Sequence, residues 1–346
     1  MLVGCQSSGM NPAALLIPPP AVQPQPAAPV LARATPAPAA PAGMAYAINA
    51  ITRDFKGRVG VAVRSIDAGW QVDVNGDTRL PQQSVSKLWV ALTVFDLRDA
   101  GRLSLSDPVT VTREDLTLFH QPIAAMVKGD GYKTTVGDLL IRALTTSDNT
   151  ANDRLLRYVG GPDAVRDMIR RKRLGNIRFG PGERLLQSRT AGLEWKPEFA
   201  VGNGFTRARA QLPITERLKA FDDYVADPPD GAAPSAIAAA LARLKKGDLL
   251  SADSTRLLIT TMEESKTGKA RLRGAVPPGW SFGHKTGTGQ DLGGRTAGYN
   301  DVGILSAPDG HSYAIAVMIG DTPRPIPERQ ALMQSVLSTV VAYHTN

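Results

Sequence analysis

Strand-like segments occur only near the two ends of this chain, and that placement narrows the fold more than any other feature. "RVGVAVRSI" (58–66) and "WQVDVNGD" (70–77) lie near the start, joined by the turn residues "DAG". "WSFGHKTG" (280–287), "GYNDVGILSA" (298–307) and "SYAIAVMIGD" (312–321) lie near the end. These segments favour β-branched and aromatic residues and are bounded by Gly, Asn, Asp or Pro, as strands are. Most of the chain between them reads as helix: from Ser84 to about Ala100, from 136 to 175 with breaks at "TTSDNT" and "GGPD", and from 233 to 264 with "KKGDLLSAD" between two helices. "MAYAINAITRDF" (44–55) and "PERQALMQSVLSTVVAYH" (327–344) add a helix at each outer end. Hairpin connections join the outer strands into one sheet. The expected fold is α/β and two-lobed, with a five-stranded antiparallel sheet, terminal helices covering it, and an all-helical lobe inserted.

The boundaries follow. Residues 44–75 and 276–346 form the sheet lobe and 76–275 the helical lobe, with the groove between them as the expected site. At 346 residues and 42% hydrophobic, the chain has material for a sizeable core. Residues 12–43 are dominated by Pro and Ala and read as an extended, semi-rigid tether. Ahead of it, "MLVGCQSSG" resembles the end of a bacterial lipoprotein signal, in which a lipidated cysteine follows Leu-Val-Gly. No charged start and no apolar stretch precede it. Lipid on Cys5 implies an exported, periplasmic protein tethered to a membrane. "AALLI" is too short to cross one.

Several function classes are disfavoured. The formal charge of +8 invites a nucleic-acid reading, but the basic residues are scattered and aromatics are only 5% of the chain. One cysteine allows no internal disulfide. The four histidines are far apart and form no HExxH, so no metal and no cofactor are expected. A monomer acting on a small molecule is the expected state.

Three short motifs bear chemistry. Ser84 and Lys87, at i and i+3 in "PQQSVSKLWV", share one helix face. A serine hydroxyl is a weak nucleophile until a neighbouring base takes its proton, and a lysine serves if desolvation or another cation lowers its pKa from about 10.4. An ordinary capped helix gives the same tetrapeptide. Ser147-Asp148-Asn149 falls in a helix break, where a hydroxyl and an amide two residues apart can reach one substrate; helix capping explains the same residues. Lys285-Thr286-Gly287 lies on a strand leading into a Gly-rich turn, suited to a carboxylate and an oxyanion, or to nothing beyond a solvated strand. Lys266-Thr267-Gly268 spells the same triplet, but it follows a helical pattern and precedes no strand, so it is set aside.

Together and in this order, the motifs resemble the serine β-lactamase and penicillin-binding protein superfamily, closest to class A β-lactamases, over roughly residues 44–346. "PVTVTREDLTLFHQP", "GDLLSADSTRLLITTM" and "TGKARLRGAVPPGWSFGHKTGTG" look like that family too. The resemblance implies a β-lactamase/transpeptidase-like fold and a β-lactam substrate. It implies Ser84 as nucleophile, with Lys87, or Glu183 through a water, as its base, Ser147 as proton relay, and the N–H groups of Ser84 and Thr288 as oxyanion hole. It implies that Asn149 binds the substrate's side-chain amide, and that Lys285, Thr286, Gly287 and Thr288 bind its carboxylate, with Arg295 as a second anchor. "PGERLLQSRT" supplies Glu183, which in the family positions the water that frees the acyl-enzyme. Gln187 stands where the family carries Asn, and Pro181 and Gly182 replace its usual arginine. Glu194 and Glu198 compete with Glu183 but lack the following Leu-Gln. Residues near 188–233 form an insertion, with "ITERLKAFDDYVAD" as an extra helix and the remainder a long loop. A D,D-peptidase acting on peptidoglycan, or a non-hydrolysing penicillin-binding sensor, shares the motifs and differs at Glu183.

Overall fold

The computed structural model describes residues 38–344, with Met1, Gly4 and Gly9 as isolated positions. The chain divides into two units, residues 1–36 and 37–346. Cys5 and most of the Pro/Ala-rich stretch lie outside the described residues.

The five expected strands form one sheet: β1 (Arg58–Ser65), β2 (Gln71–Val74), β3 (Ser281–Thr288), β4 (Tyr299–Ser306) and β5 (Ser312–Asp321). Their order is β2-β1-β5-β4-β3, every pair antiparallel. The chain's two ends meet at the centre, where Val61 and Val63 of β1 face Val317 and Ile315 of β5. Alternation then divides the side chains between two cores. Val59, Val61, Val63, Ile315, Val317 and Ile319 pack with Met44 and Ile48 of α1 (Met44–Arg53) and with Met333, Val336 and Leu337 of α11 (Ile326–Ala342). On the opposite face Ala62, Ala314, Ala316 and Met318 pack with Ile237, Ala238 and Leu241 of α9 (Pro234–Lys245). Small residues let α9 approach the sheet closely. A Cβ on Gly60 would lie 2.7 Å from Pro234 Cγ.

The inserted lobe is built around α2 (Lys87–Asp99), in which every residue from Lys87 to Phe95 is buried. A helix buried on all sides is the centre of its lobe. The remaining helices are α3 (Val136–Ile141), α4 (Asn149–Tyr158), α5 (Gly161–Arg171), α6 (Glu183–Thr190), α7 (Gly204–Gln211), α8 (Ile214–Ala226) and α10 (Ala252–Glu263). The expected extra helix forms as α8. The expected long loop does not form: α7 and a short 3-10 turn occupy it, with two small apolar clusters of their own. In one, Phe199 and Phe205 pack on Leu118 and Ala191; in the other, Phe221, Tyr224 and Val225 pack on Leu186, Leu292 and Ala297. Aromatic residues scattered through the insertion supply enough apolar area to fold it onto the body of the lobe.

Candidate active site

The site lies where α2, α4, α6 and β3 converge. Sequence reading starts a helix at Ser84; the structure places Gln83–Ser86 in a 3-10 turn and begins α2 at Lys87. Gln83 causes the difference. It adopts φ +54°, a left-handed conformation that costs a non-glycine residue about 1–2 kcal/mol. Its partners hold it there: its N–H donates to Asp230 Oδ2 at 2.8 Å, and its Nε2 donates to Tyr224 Oη at 2.7 Å and to Ala297 O at 3.0 Å. The i, i+3 pairing survives the tighter turn, and Lys87 Nζ donates to Ser84 Oγ at 3.0 Å.

Lys87 is fully buried and its ammonium joins the other motifs. It donates to Asn149 Oδ1, to Ser147 O at 2.9 Å and to Ser147 Oγ at 3.3 Å. Glu183 Oε1 lies 3.3 Å away on the remaining side. That oxygen is buried and accepts no aligned hydrogen bond, so its contact with Lys87 is coulombic. Ser147, at φ +61°, ends a π-helical turn. Within Ser-Asp-Asn, capping and chemistry belong to different residues: Asp148 caps α4 by accepting from Ala151 N–H at 2.9 Å, which leaves Ser147 and Asn149 to the cavity.

The Lys-Thr-Gly strand completes the wall. Lys285 Nζ donates to Ser147 Oγ at 2.9 Å and to Thr286 O at 2.9 Å. Burial, and then the charge of Lys87, push Lys285 well below the ordinary lysine value. Among the described residues β3 is an edge strand whose only sheet neighbour is β4, and an edge can pair with a ligand's amide. Gly287 is required by close approach, since a Cβ there would lie 2.3 Å from Gln82 O beside the turn that carries Ser84. Thr286 and Thr288 face the cavity.

Glu183 begins α6. The buried carboxylate of Asp153 caps that helix, accepting the N–H groups of Glu183 at 2.9 Å and Arg184 at 3.2 Å. Gln187 sits one turn on. Its Nε2 donates to Glu183 Oε2 at 3.3 Å and to Gln83 Oε1 at 2.9 Å, so the extra methylene still brings the amide to the carboxylate. The competing Glu194 and Glu198 are exposed. These residues line a cavity of about 360 Å³ that holds Ser84, Ser147, Asn149, Glu183, Gln187, Thr286 and Thr288. A larger cleft of about 700 Å³ beside Arg166 and Phe179 contains neither a nucleophile nor a base.

One expected residue is elsewhere. Arg295 donates to Asp321 Oδ1 at 3.1 Å and Oδ2 at 2.6 Å and to Asp222 Oδ1 at 2.7 Å, and it does not line the cavity. Its two carboxylate partners occupy the guanidinium. Arg271 is there instead: it donates to Thr288 Oγ1 and to Gly287 O, and stacks on the Tyr299 ring. The triplet set aside in the sequence also contributes, through Thr267, whose hydroxyl is 2.8 Å from Thr286 Oγ1, and through Gly268.

Tyr224 of α8 and Asp230 brace the turn that carries Ser84. Tyr224 Oη donates to Asp230 at 3.1 Å, and Asp230 holds the Gln83 N–H. Burial pushes the Asp230 carboxyl up to about 6, opposed by the Gln83 N–H and the Tyr224 hydroxyl and reinforced by Glu183. A folded-state value above the unfolded one means that this group's stabilisation is full below about pH 4 and is lost as pH rises through about 6. Asp230→Asn keeps an amide oxygen for the Gln83 N–H and never ionises. It is expected to stabilise the protein by about 1–3 kcal/mol near pH 8 and to lose that advantage near pH 4. Thermal melts at the two pH values check this; an equal gap at both contradicts it.

The sequence model of a family described as "Beta-lactamase enzyme family" matches residues 43–344. The extended-spectrum β-lactamase PER-1 of Pseudomonas aeruginosa is 30% identical over 297 residues, 86% of this chain and 85% of that protein. β-lactamase VEB-1 of the same species is 25% identical over 300 residues, 86% of this chain and 89% of that protein. Among solved structures, a β-lactamase from Chitinophaga pinensis has a TM-score of 0.71 at 26% identity and covers 88% of this chain and 100% of its own. With its two-lobed fold and its relatives in agreement, the chain belongs to the β-lactamase enzyme family, among the class A serine enzymes.

Proposed function

We propose that Ser84 is the nucleophile with which this β-lactamase opens the lactam amide, and that Glu183 directs the water that releases the product. The observation that carries the reading is the position of one atom. Lys87 Nζ lies 3.0 Å from Ser84 Oγ, 3.3 Å from Ser147 Oγ and 3.3 Å from Glu183 Oε1. A proton leaving the Ser84 hydroxyl reaches Lys87 as Lys87 passes one to Glu183, so the nucleophile forms without a free charge in a buried site. Oγ attacks the lactam carbonyl carbon, and the N–H groups of Ser84 and Thr288 stabilise the oxyanion. Each such donor is worth about 3–4 kcal/mol. The C–N bond breaks, and Ser147, between Lys87 and Lys285, hands its proton to the departing nitrogen and takes another from Lys87, which recovers the one that Glu183 holds. Water held by Glu183 and the Gln187 amide then attacks the ester. Its proton goes to Glu183, and Ser84 Oγ leaves with one from Lys87.

The substrate carboxylate binds Lys285, Thr286, Thr288 and the Arg271 guanidinium, while Asn149 takes the side-chain amide. Arg271→Ala is expected to raise KM for a penicillin by about tenfold to a hundredfold with a smaller effect on kcat, the loss of a charge-assisted contact. Arg295→Ala serves as the comparison and leaves KM as it was; equal KM values for both variants remove Arg271 from this role. Loss of the lactam absorbance on mixing with a penicillin tests the whole reading. Permanent labelling by a fluorescent penicillin, without turnover, means a peptidase or sensor instead.

A further inference from the structure

We propose that Arg209 of α7 and Arg217 of α8, both supplied by the insertion after α6, form an anion subsite beyond the rim of the catalytic cavity. Its ligand is a carboxylate at the far end of a β-lactam's acyl side chain. This rests on the β-lactamase reading above and adds a substrate class: β-lactams with a straight, acid-ended acyl chain such as adipoyl.

Both side chains are half-buried, and the Nε of each is buried without a hydrogen-bond partner among the described residues. Arg209 is anchored through Nη2, which donates to Asp291 O at 3.0 Å. The Arg217 guanidinium has no hydrogen bond and no ion pair among the described residues. Burial, and then the charge of Arg217, push Arg209 below the ordinary arginine value. Asp291 opposes that shift, but its Oδ1 accepts the Thr296 hydroxyl, and its carboxylate pairs with neither arginine. The neighbouring Arg295 is treated differently, being neutralised by Asp222 and Asp321. Packing calls for no second cation beside Arg209. A half-buried guanidinium short of acceptors is stabilised by an incoming carboxylate, whose two oxygens match its fork of donors.

The pair stands where the acyl chain leaves the cavity. Gly289 and Gln290 line the cavity, and Asp291, whose carbonyl holds Arg209, follows them. Asp291 belongs to a short hairpin in which it pairs with Thr296 and Leu292 with Arg295. α8 flanks that hairpin: Asp222 holds Arg295 at 2.7 Å, and a Cβ on Gly293 would lie 3.7 Å from Leu218 Cδ2. With the nucleus carboxylate on Lys285 and Arg271 and the side-chain amide on Asn149, the acyl chain extends past Gln290 toward Asp291. The three residues from Thr288 to Asp291 span at most about 10 Å. An adipoyl chain added to the reach of an arginine side chain covers that span, and a succinyl chain falls short.

The test compares adipoyl-6-aminopenicillanic acid with its hexanoyl counterpart, which has the same nucleus, amide and chain length and ends in a methyl. The ratio of their kcat/KM values is expected to fall about tenfold in Arg217→Ala, the scale of one charge-assisted contact. Arg217→Ala gives up no described partner, so the fold is expected to hold, which a thermal melt checks. Arg209→Lys keeps the cation and is expected to keep most of the ratio, whereas Arg209→Ala loses it. In the unsubstituted protein the ratio is expected to fall as salt rises, because half-exposed charges are screened, and in Arg217→Ala to fall less. A succinyl compound, measured against its butanoyl counterpart, is expected to show one ratio in every variant. An unchanged adipoyl ratio in Arg217→Ala, or an equal fall for succinyl, overturns the subsite while leaving the hydrolase intact. If the unsubstituted protein hydrolyses neither the adipoyl nor the hexanoyl compound, the β-lactamase reading fails and the subsite falls with it.

Discussion

Ser84→Ala is expected to lower kcat on any β-lactam by about 10⁵–10⁶-fold, the scale seen when a hydrolase loses its nucleophile. Without Oγ no acyl ester forms, and Lys87, Ser147 and Glu183 have nothing to act upon. The fold is expected to survive. Ser84 is half-buried, and the Lys87 ammonium keeps Ser147 O, Asn149 Oδ1 and Glu183 as partners. The melting temperature therefore stays within a few degrees while turnover disappears, and ligand still enters the cavity. Steady-state kinetics beside a thermal melt check both halves. Residual kcat above about a thousandth of the original means that another group attacks the carbonyl.

Glu183→Ala is expected to act on the second half of the reaction. Acylation loses the acceptor behind Lys87 and slows, but Ser84, Lys87 and Ser147 remain, so a first equivalent of lactam is still opened. Deacylation loses the carboxylate that orients and deprotonates water, a contribution of about 10²–10⁴-fold. The signature is a burst of one product per protein followed by a slow steady state. Removing one partner of a buried ion pair usually destabilises by about 3–5 kcal/mol. Here the Lys87 cation keeps Asn149 Oδ1 and Ser147 O as acceptors, so the cost falls below that range. Equal steady-state rates with and without Glu183 assign the water to another base.

The physical reasons for these expectations were unequally visible in the sequence. The strands of the sheet are legible because β-branched and aromatic runs and bounding turn residues are local, and the observed β5, Ser312–Asp321, coincides with the segment read from sequence. Ser84, Lys87, Ser147, Asn149 and Lys285 are legible because short motifs carry them in a fixed order. Arg271 is not. An arginine three residues beyond a glycine in a polar stretch looks like any surface cation, and only the fold shows its guanidinium against Thr288. Arg295 looked the better candidate because nothing local announces Asp222 and Asp321, which lie far away in sequence. The Gln83–Tyr224–Asp230 network is hidden for the same reason, its partners being 141 and 147 residues from Gln83. That network also explains why the helix begins at Lys87 rather than Ser84: the turn is pinned from outside, and helical propensity yields to it. The part of the insertion outside α8 reads as loop because its aromatic residues have no periodicity, and Phe199 and Phe205 bury themselves against Leu118 and Ala191, which are distant or unremarkable in sequence.

Hydrolysis by the proposed route requires that Ser84 be acylated and then freed by water under the control of Glu183. Acid quenching at intervals from milliseconds to hours, followed by mass analysis of the peptides, observes this directly in the unsubstituted protein and in Glu183→Ala. The expected result is one opened penicillin on the peptide that holds Ser84 in both proteins, gone as soon as substrate is exhausted in the first and persisting for hours in the second. An adduct on a different peptide, or adducts that clear at the same rate in both, contradicts it.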